Sequence, residues 1–384
     1  MKIPFNKPTL LGNEIINLKK VIRNRKFSFP GEFSRKCSAF LKEKFQSEAV
    51  FMTSSCSGAL ELSALICNLR PGDEIIVPSF TYVSTVLAFA EKNIKIIWCD
   101  IKESTKNIDE TQIEKLISPR TKAIIAVHYA GVSCEIESIR TICDKHNLFL
   151  IEDAAHSLGS TYRKKPLGSF GDLAVISFHE TKNIQCGEGG ALIVNNKKLL
   201  KKADYIFNLG TNRTEFNRKS VEKWTWHFVG KNYKMSELNA AFLYAQLKKI
   251  NEINSERKRK WNLYYQYLSE FLSADKLPFI PENNVHNAHI FYLITESPEQ
   301  RKNLIQFLHN KKIQAVFHYQ PLHLAPFWNG KYREIRLPIT EKISETILRL
   351  PLFYGIKDEE IKYISESIKE FFGKQNKKLN LRKR

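Results

Sequence analysis

The sequence predicts an α/β protein with two domains: a large one built on a mainly parallel central sheet with helices on both faces, then a smaller C-terminal α/β domain. Three observations carry this. Short apolar runs alternate with amphipathic segments between residues 49 and 195, the pattern of strands joined by covering helices. The chain has 384 residues, more than one hydrophobic core fills. A second set of strand-like and helix-like segments follows a long helical stretch, which divides the chain into 1–250 and 251–384.

The first strand is AVFMT, and ALELSALICNL after it places Leu62, Leu65, Ile66 and Leu69 at i, i+3, i+4 and i+7, the apolar stripe of a helix. PGDEIIVP at 71–78 reads as a turn into a strand, and IKIIW, KAIIAVHY, LFLIED, LAVISF and ALIV supply further strands. Residues 235–272 read as one nearly continuous helix leading out of the first domain. Beyond the loop-like DKLPFIPENN come a strand FYLIT, a helix opened by SPEQ, a strand AVFHY and two more amphipathic segments. Ser297 as N-cap, Pro298 at the first helical position and Gln300 three after the cap form a capping box.

Hydrophobic residues at 43% and charged residues at 26% place the chain among ordinary globular proteins and exclude the disordered and fibrous classes. The apolar runs are too short to span a bilayer, so a cytoplasmic protein with no membrane partner is expected. Seven cysteines, an odd number with no C-x-x-C pair, fit reduced thiols rather than a disulfide framework. The net charge of +20 would attract any polyanion, and by itself suggests a nucleic-acid-binding or regulatory protein. No zinc finger, RNA-binding aromatic signature or basic zipper supports that alternative, and no nucleic-acid partner is expected. A phosphate-ester substrate uses the same field, and the basic stretch at 374–384 reads as a solvated end.

Three stretches end a strand with residues that a core does not need. TSSCSGAL turns from AVFMT into a helix, whose free N–H groups and dipole make a phosphate seat. Asp153 closes the strand in LFLIEDAAH, at the edge where open α/β sheets bind ligands. Lys182, in SFHETKN, follows Asp153 by 29 residues, and in a parallel sheet both reach one edge. A phosphate seat, an aspartate and a lysine together are what pyridoxal 5′-phosphate requires: lysine for the Schiff base, aspartate for the pyridinium nitrogen. A lysine can lose its proton and act as nucleophile and shuttle, whereas an arginine cannot. No G-x-G-x-x-G follows the first strand, which argues against a nicotinamide-dependent oxidoreductase.

EDAAH, SFHETKN, GEGGAL and NYKMSELNAA, in this order, resemble the DegT/StrS family of nucleotide-sugar aminotransferases, and the resemblance runs from IPFNKP to RLPLFY at 349–354. It implies the pyridoxal phosphate-dependent transferase fold type I and a homodimer with shared active sites. HYAGVSCEI, FHETKN, GTNRTEF and FHYQPLH most resemble the dTDP-4-amino-4,6-dideoxygalactose transaminases. That subgroup implies L-glutamate as amino donor and a dTDP-sugar as acceptor, with a product for surface glycans such as O-antigen. The gluco epimer of the product and a C3-aminotransferase are the alternatives within the family. The C3 dehydratase branch carries histidine in place of the Schiff-base lysine, and Lys182 argues against it.

By this resemblance Lys182 is the Schiff-base lysine and Asp153 the pyridinium partner, while Ser177, Cys56 and Ser57 hold the cofactor phosphate. Many members have threonine at the position of Cys56, so the backbone is expected to carry that contact. Tyr82 stacks on the ring and His156 covers its other side. Asn232 is donated to the phosphate by the neighbouring subunit. Arg213, Tyr319 and His323 lie in stretches that could hold the sugar nucleotide. His318 with His323, and His286 with His289, lack a third ligand and read as satisfied surface histidines, so no metal is expected. Where many members carry SGDG near the substrate, this chain has SFPGEF at 28–33.

Overall fold

The computed structural model describes residues 2–332 and 334–382, with side chains in the last helix described as far as Lys374, so the basic stretch at 374–384 lies almost wholly outside the described side chains. The first nine strands are β1 (Ala49–Thr53), β2 (Glu74–Pro78), β3 (Lys95–Cys99), β4 (Thr121–Val127), β5 (Phe149–Asp153), the short β6 (Thr161–Tyr162) and β7 (Lys165–Pro166), β8 (Leu173–Ser177) and β9 (Gly190–Val194). Seven of them form the central sheet in the order β1-β9-β8-β5-β4-β2-β3. Neighbours from β3 to β8 pair in parallel, and β9 runs antiparallel to both β8 and β1. Every strand of this sheet but β9 therefore points the same way, as the alternating sequence predicts.

Successive side chains on a strand face opposite sides, and each side of the sheet has its own core. Leu173 and Val175 of β8, with Leu192 and Val194 of β9, pack against Leu60 and Leu62 of the helix Cys56–Ile66. Ala174, Ile176, Ala191 and Ile193 face Cys37 and Leu41 of the helix Glu32–Phe45 and Ala240 and Leu243 of the helix Glu237–Lys248. The expected stripe faces the core, with Leu62 and Ile66 buried and Leu65 partly so, although the helix ends at Ile66 and Leu69 reaches the same core from the following loop.

The single helix expected over 235–272 is instead two, Glu237–Lys248 and Ile250–Ser269, which meet at Lys249 with φ −109° and ψ 11°. The reason is packing. The first helix buries Ala240, Leu243 and Leu247 against the sheet, while Trp261, Tyr264 and Leu268 of the second belong to a separate C-terminal core. One straight axis does not serve both. That core also gathers Phe291, Leu293, Leu304, Leu348 and Ile361, and Ile3 joins it from the other end of the chain through a bridge to Ile313.

The C-terminal strands are β10 (Asn284–Val285), which pairs with β6, and β11 (Tyr292–Ile294), β12 (Val316–Phe317) and β13 (Ile347–Arg349), an antiparallel sheet of order β11-β13-β12. The helix Pro298–Asn310 starts as expected: the Gln300 N–H donates to Ser297 Oγ at 3.1 Å. The Gln300 side chain reaches back to the Glu296 N–H at 2.8 Å, one residue before the cap.

Candidate active site

Because β1, β5 and β8 run in one direction, TSSCSG, Asp153 and Ser177 all arrive at the same edge of the sheet. Ser55 caps the helix Cys56–Ile66 from an extended conformation, its Oγ accepting from the Gly58 N–H at 3.0 Å. The Ala59 N–H donates to the Ser55 carbonyl, which leaves those of Cys56 and Ser57 for a ligand. β9 lies directly beneath this helix end. A Cβ on Gly190 would stand 2.5 Å from the Cys56 nitrogen and from the Ser55 carbonyl atoms, so only glycine admits the helix so close. Ser57 Oγ lies 2.8 Å from Ser84 Oγ, tying the seat to the helix Ser84–Ala90.

Asp153 is buried and held at both oxygens. Oδ2 accepts from Thr85 Oγ1 at 2.7 Å and Oδ1 from the Ala155 N–H at 3.1 Å. Its neighbour Glu152 points the other way and accepts from the N–H groups of Gly168, Phe170 and Gly171 and from His128 Nε2. Lys182 sits on the loop between β8 and β9, which closes on itself through Phe178 N–H to Gly189 O at 2.9 Å and Glu180 N–H to Gly187 O at 2.8 Å. What surface the lysine keeps opens into a cavity of about 490 Å³ lined also by Cys56, Ser57, Tyr82, Asp153, His156, Ser177 and Tyr319. Burial, helped by Arg349, pushes its amine down to about 8 against the opposite pull of Cys56 and Asp153. The Cys56 thiol is pushed well up by burial and by Asp153, so it stays protonated.

Besides His179 on the lysine loop, three imidazoles line the same cavity. The Ala130 N–H donates to His156 Nδ1 at 3.4 Å, leaving the Nε2 hydrogen to face the Tyr319 hydroxyl at 3.4 Å. Asn183 donates its amide to Asn254 and to the Asn287 carbonyl, so its oxygen takes the Nδ1–H of His289 at 3.0 Å. His318 Nδ1 is 3.1 Å from the Tyr129 hydroxyl. Burial holds all three well below the usual histidine value, helped by Lys182 and Arg349, and they are neutral at pH 7. The expected surface histidines are thus corrected: His286, His318 and His323 are buried and His289 lines the cavity, because the C-terminal part packs onto the sheet edge. Among the described residues no group of three or more His, Cys, Asp or Glu side chains is arranged to hold a metal.

Three residues expected at the site do not line this cavity. His323 is 2% exposed, and its ring hydrogen-bonds Ser79 Oγ at 2.8 Å beside Trp98, fastening the 319–329 segment to the end of β2. Arg213 opens the short helix Arg213–Asn217, its guanidinium 5.3 Å over the Trp224 ring. Asn232 is exposed and is not among the residues that line the cavity. Thr85, Arg257, His289 and Arg349 are among the lining residues that were not anticipated. A signal existed for Arg349, a lone cation inside the apolar TILRLPLF. For the others, contacts distant in sequence leave no local trace.

A family model, DegT/DnrJ/EryC1/StrS aminotransferase family, matches residues 9–369. GDP-perosamine synthase of Escherichia coli O157:H7 is 30% identical over 371 residues, covering 96% of this chain and 98% of that protein. The spore coat polysaccharide biosynthesis protein SpsC of Bacillus subtilis strain 168 is 28% identical, covering 96% of each. Among solved structures, Helicobacter pylori PseC, an aminotransferase involved in the biosynthesis of pseudoaminic acid, superposes with TM-score 0.88 at 25% identity over 97% of this chain and 100% of that one. The chain belongs to the DegT/DnrJ/EryC1/StrS aminotransferase family, whose members are pyridoxal phosphate-dependent sugar aminotransferases.

Proposed function

We propose that the protein moves the amino group of L-glutamate to the C4 keto carbon of dTDP-4-dehydro-6-deoxy-D-glucose, giving dTDP-4-amino-4,6-dideoxy-D-galactose for surface-glycan synthesis. The observation that carries the amino-transfer reading is the pairing, in one cavity, of the depressed Lys182 amine with the clamped Asp153 carboxylate. The particular sugar rests on the resemblance of FHETKN, GTNRTEF and FHYQPLH.

The residues present fit pyridoxal phosphate. The free N–H groups of Cys56 and Ser57 and the hydroxyls of Ser57 and Ser177 would hold its phosphate, and Asp153 its ring nitrogen. Tyr82 and His156 would bracket the ring. When bound, the cofactor supplies an electron sink that lets a proton leave the carbon bearing the amine. Lys182 holds and moves that proton: an amine near 8 is partly free base at neutral pH, as a shuttle needs. Thr85 and the Ala155 N–H keep Asp153 aimed, since both donate to its oxygens. Neutral His156 offers its Nε2 hydrogen without adding a competing cation.

The division of labour follows the domains read from the sequence: 1–250 seats the cofactor and 251–384 closes over the substrate with His318, Tyr319 and Arg349. A homodimer is part of the proposal, with exposed Asn232 serving the cavity of a second copy. The test is incubation of the loaded enzyme with L-glutamate and dTDP-4-dehydro-6-deoxyglucose, followed by NMR of the product. An axial 4-amino group supports the galacto reading, and an equatorial one replaces it with the gluco epimer. Turnover of a GDP-linked sugar with none of the dTDP sugar, as the name of the Escherichia coli relative suggests, overturns the nucleotide assignment.

A further inference from the structure

We infer that the N-terminal strap, residues 3–9, positions the loop that carries Lys182 and that Asn6 is the residue that holds it, an assignment that rests on the amino-transfer reading above. The strap is fixed at both ends. At its start the Ile3 N–H donates to the Lys312 carbonyl at 2.9 Å, the Gln314 N–H to the Ile3 carbonyl at 3.0 Å, and the Phe5 N–H to Gln314 Oε1 at 3.1 Å. Ile3 is itself buried in the C-terminal core. At its far end the Thr9 carbonyl accepts from Gln246 Nε2 at 3.1 Å, on the helix Glu237–Lys248, and from Gln185 Nε2 at 3.4 Å. Between these anchors Phe5 and Asn6 line the cavity, and Asn6 Nδ2 donates to the Glu180 carbonyl at 3.2 Å, two residues before the lysine.

The two flanks of Lys182 are held unequally. The residue after it, Asn183, is fastened through its side chain to Asn254, to the Asn287 carbonyl and to His289. The stretch before it, 179–181, bonds within its own loop: Glu180 N–H to Gly187 O, Lys182 N–H to His179 O, and His179 Nδ1 with Thr181 Oγ1. Glu180 and Thr181 are exposed. Among the described residues, the Asn6 amide supplies the one hydrogen bond that reaches this stretch from outside the loop. A backbone carbonyl only accepts, so Asn6 must present its NH2 group there. The bond is open to solvent and adds little to global stability. What it fixes is the place of the backbone from which the lysine side chain departs. A proton carrier must meet its carbon within a fraction of an ångström. The strap suits that purpose, because its anchors lie in the C-terminal core and on a helix of the large domain, and neither is part of the lysine loop.

The test compares wild type with Asn6→Asp, which keeps the shape of the side chain and sets a carboxylate oxygen against the Glu180 carbonyl. Hydrogen exchange of the full chain, read before cofactor is added, speeds up at least about threefold over 179–182 and stays unchanged in the sheet, with the urea midpoint preserved. In enzyme loaded with pyridoxal phosphate, kcat of the glutamate half-reaction falls about three- to tenfold while KM moves less than about twofold, the loss of one modest hydrogen bond. Glutamate deuterated at the α-carbon shows a larger isotope effect than in wild type, because the proton step has slowed. Asn6→Gln, which keeps the donor on a longer arm, recovers part of the rate, and Asn6→Ala stands in if the aspartate variant folds poorly. Unchanged exchange over 179–182 overturns the inference. So does a fall in the urea midpoint with kcat and isotope effect unmoved, which would assign Asn6 to fold stability alone. If wild-type enzyme takes no amino group from glutamate, the functional reading fails, and the exchange comparison still decides whether the strap holds the loop.

Discussion

Gly190→Ala tests the cofactor seat where its geometry is tightest. The added methyl would sit 2.5 Å from the Cys56 nitrogen and the Ser55 carbonyl, where ordinary contact begins at 3.4 Å, so the helix end must retreat by about 0.9 Å. All the obstructing atoms are backbone, and no side-chain rotation relieves them. Hydrogen bonds of about 2.9 Å from the two free N–H groups to a phosphate would stretch to about 3.8 Å, beyond useful range. Each such bond to a charged group is worth about 1.5–3 kcal/mol. Losing both weakens cofactor binding by about 3 kcal/mol or more, at least about a hundredfold. The overpacked fold itself loses about 1–3 kcal/mol. Fluorescence titration of the apoenzyme with pyridoxal phosphate gives the first quantity and urea unfolding the second. An alanine variant that binds cofactor within twofold of wild type would refute the reasoning, because the helix N-terminus would then not be the phosphate seat.

Other outcomes follow from the same geometry. Lys182→Met removes turnover, and borohydride no longer fixes cofactor to the chain, read by mass spectrometry. The Lys182 amine is held near 8 in the fold against 10.5 unfolded, so its protonation opposes folding in full below about pH 8 and not at all above about 10.5. The stability gap between the wild-type and Lys182→Met apoenzymes therefore shifts in favour of wild type as pH rises through that window, measured by urea unfolding. Asp153→Asn keeps the Thr85 contact but lowers kcat at least about a hundredfold, with cofactor affinity changed far less, as expected of charge stabilisation lost at the reacting group. Glu152→Ala strips the acceptor from three backbone N–H groups and His128 and destabilises the fold by about 3–5 kcal/mol, seen in the urea midpoint.

Residues that act where a strand ends were legible in the sequence, because strand and turn are local. Asp153, Ser177 and Lys182 each follow an apolar run, and a sheet running mainly one way brings the ends together. The helix break at Lys249 was hidden, since it is imposed by two cores that only the folded chain separates. The same holds for the histidines. HNAHIFY and FHYQPLH look like polar surface until β11, β12 and β13 carry them onto the sheet edge. Arg213 and His323 were nominated by motif proximity, and the fold puts one against Trp224 and the other against Ser79. Thr85 is invisible at sequence level because its partner Asp153 lies 68 residues away.

The reversed strand β9 gives the sheet a property that an all-parallel arrangement lacks. A parallel neighbour of β8 would force the chain to cross back to the far side of the sheet, and the loop leaving Ser177 would be a long excursion anchored at opposite ends. Here the chain leaves at Ser177 and re-enters at Gly190, adjacent residues of one antiparallel register. Lys182 thus rides on a short closed ring whose exit is Ser177, a proposed phosphate ligand, and whose entrance is Gly190 beneath the helix Cys56–Ile66. In the proposed reading, cofactor phosphate and reactive amine are tied to the same two residues of backbone. A displacement of that ladder rung would carry both together and keep the spacing between them.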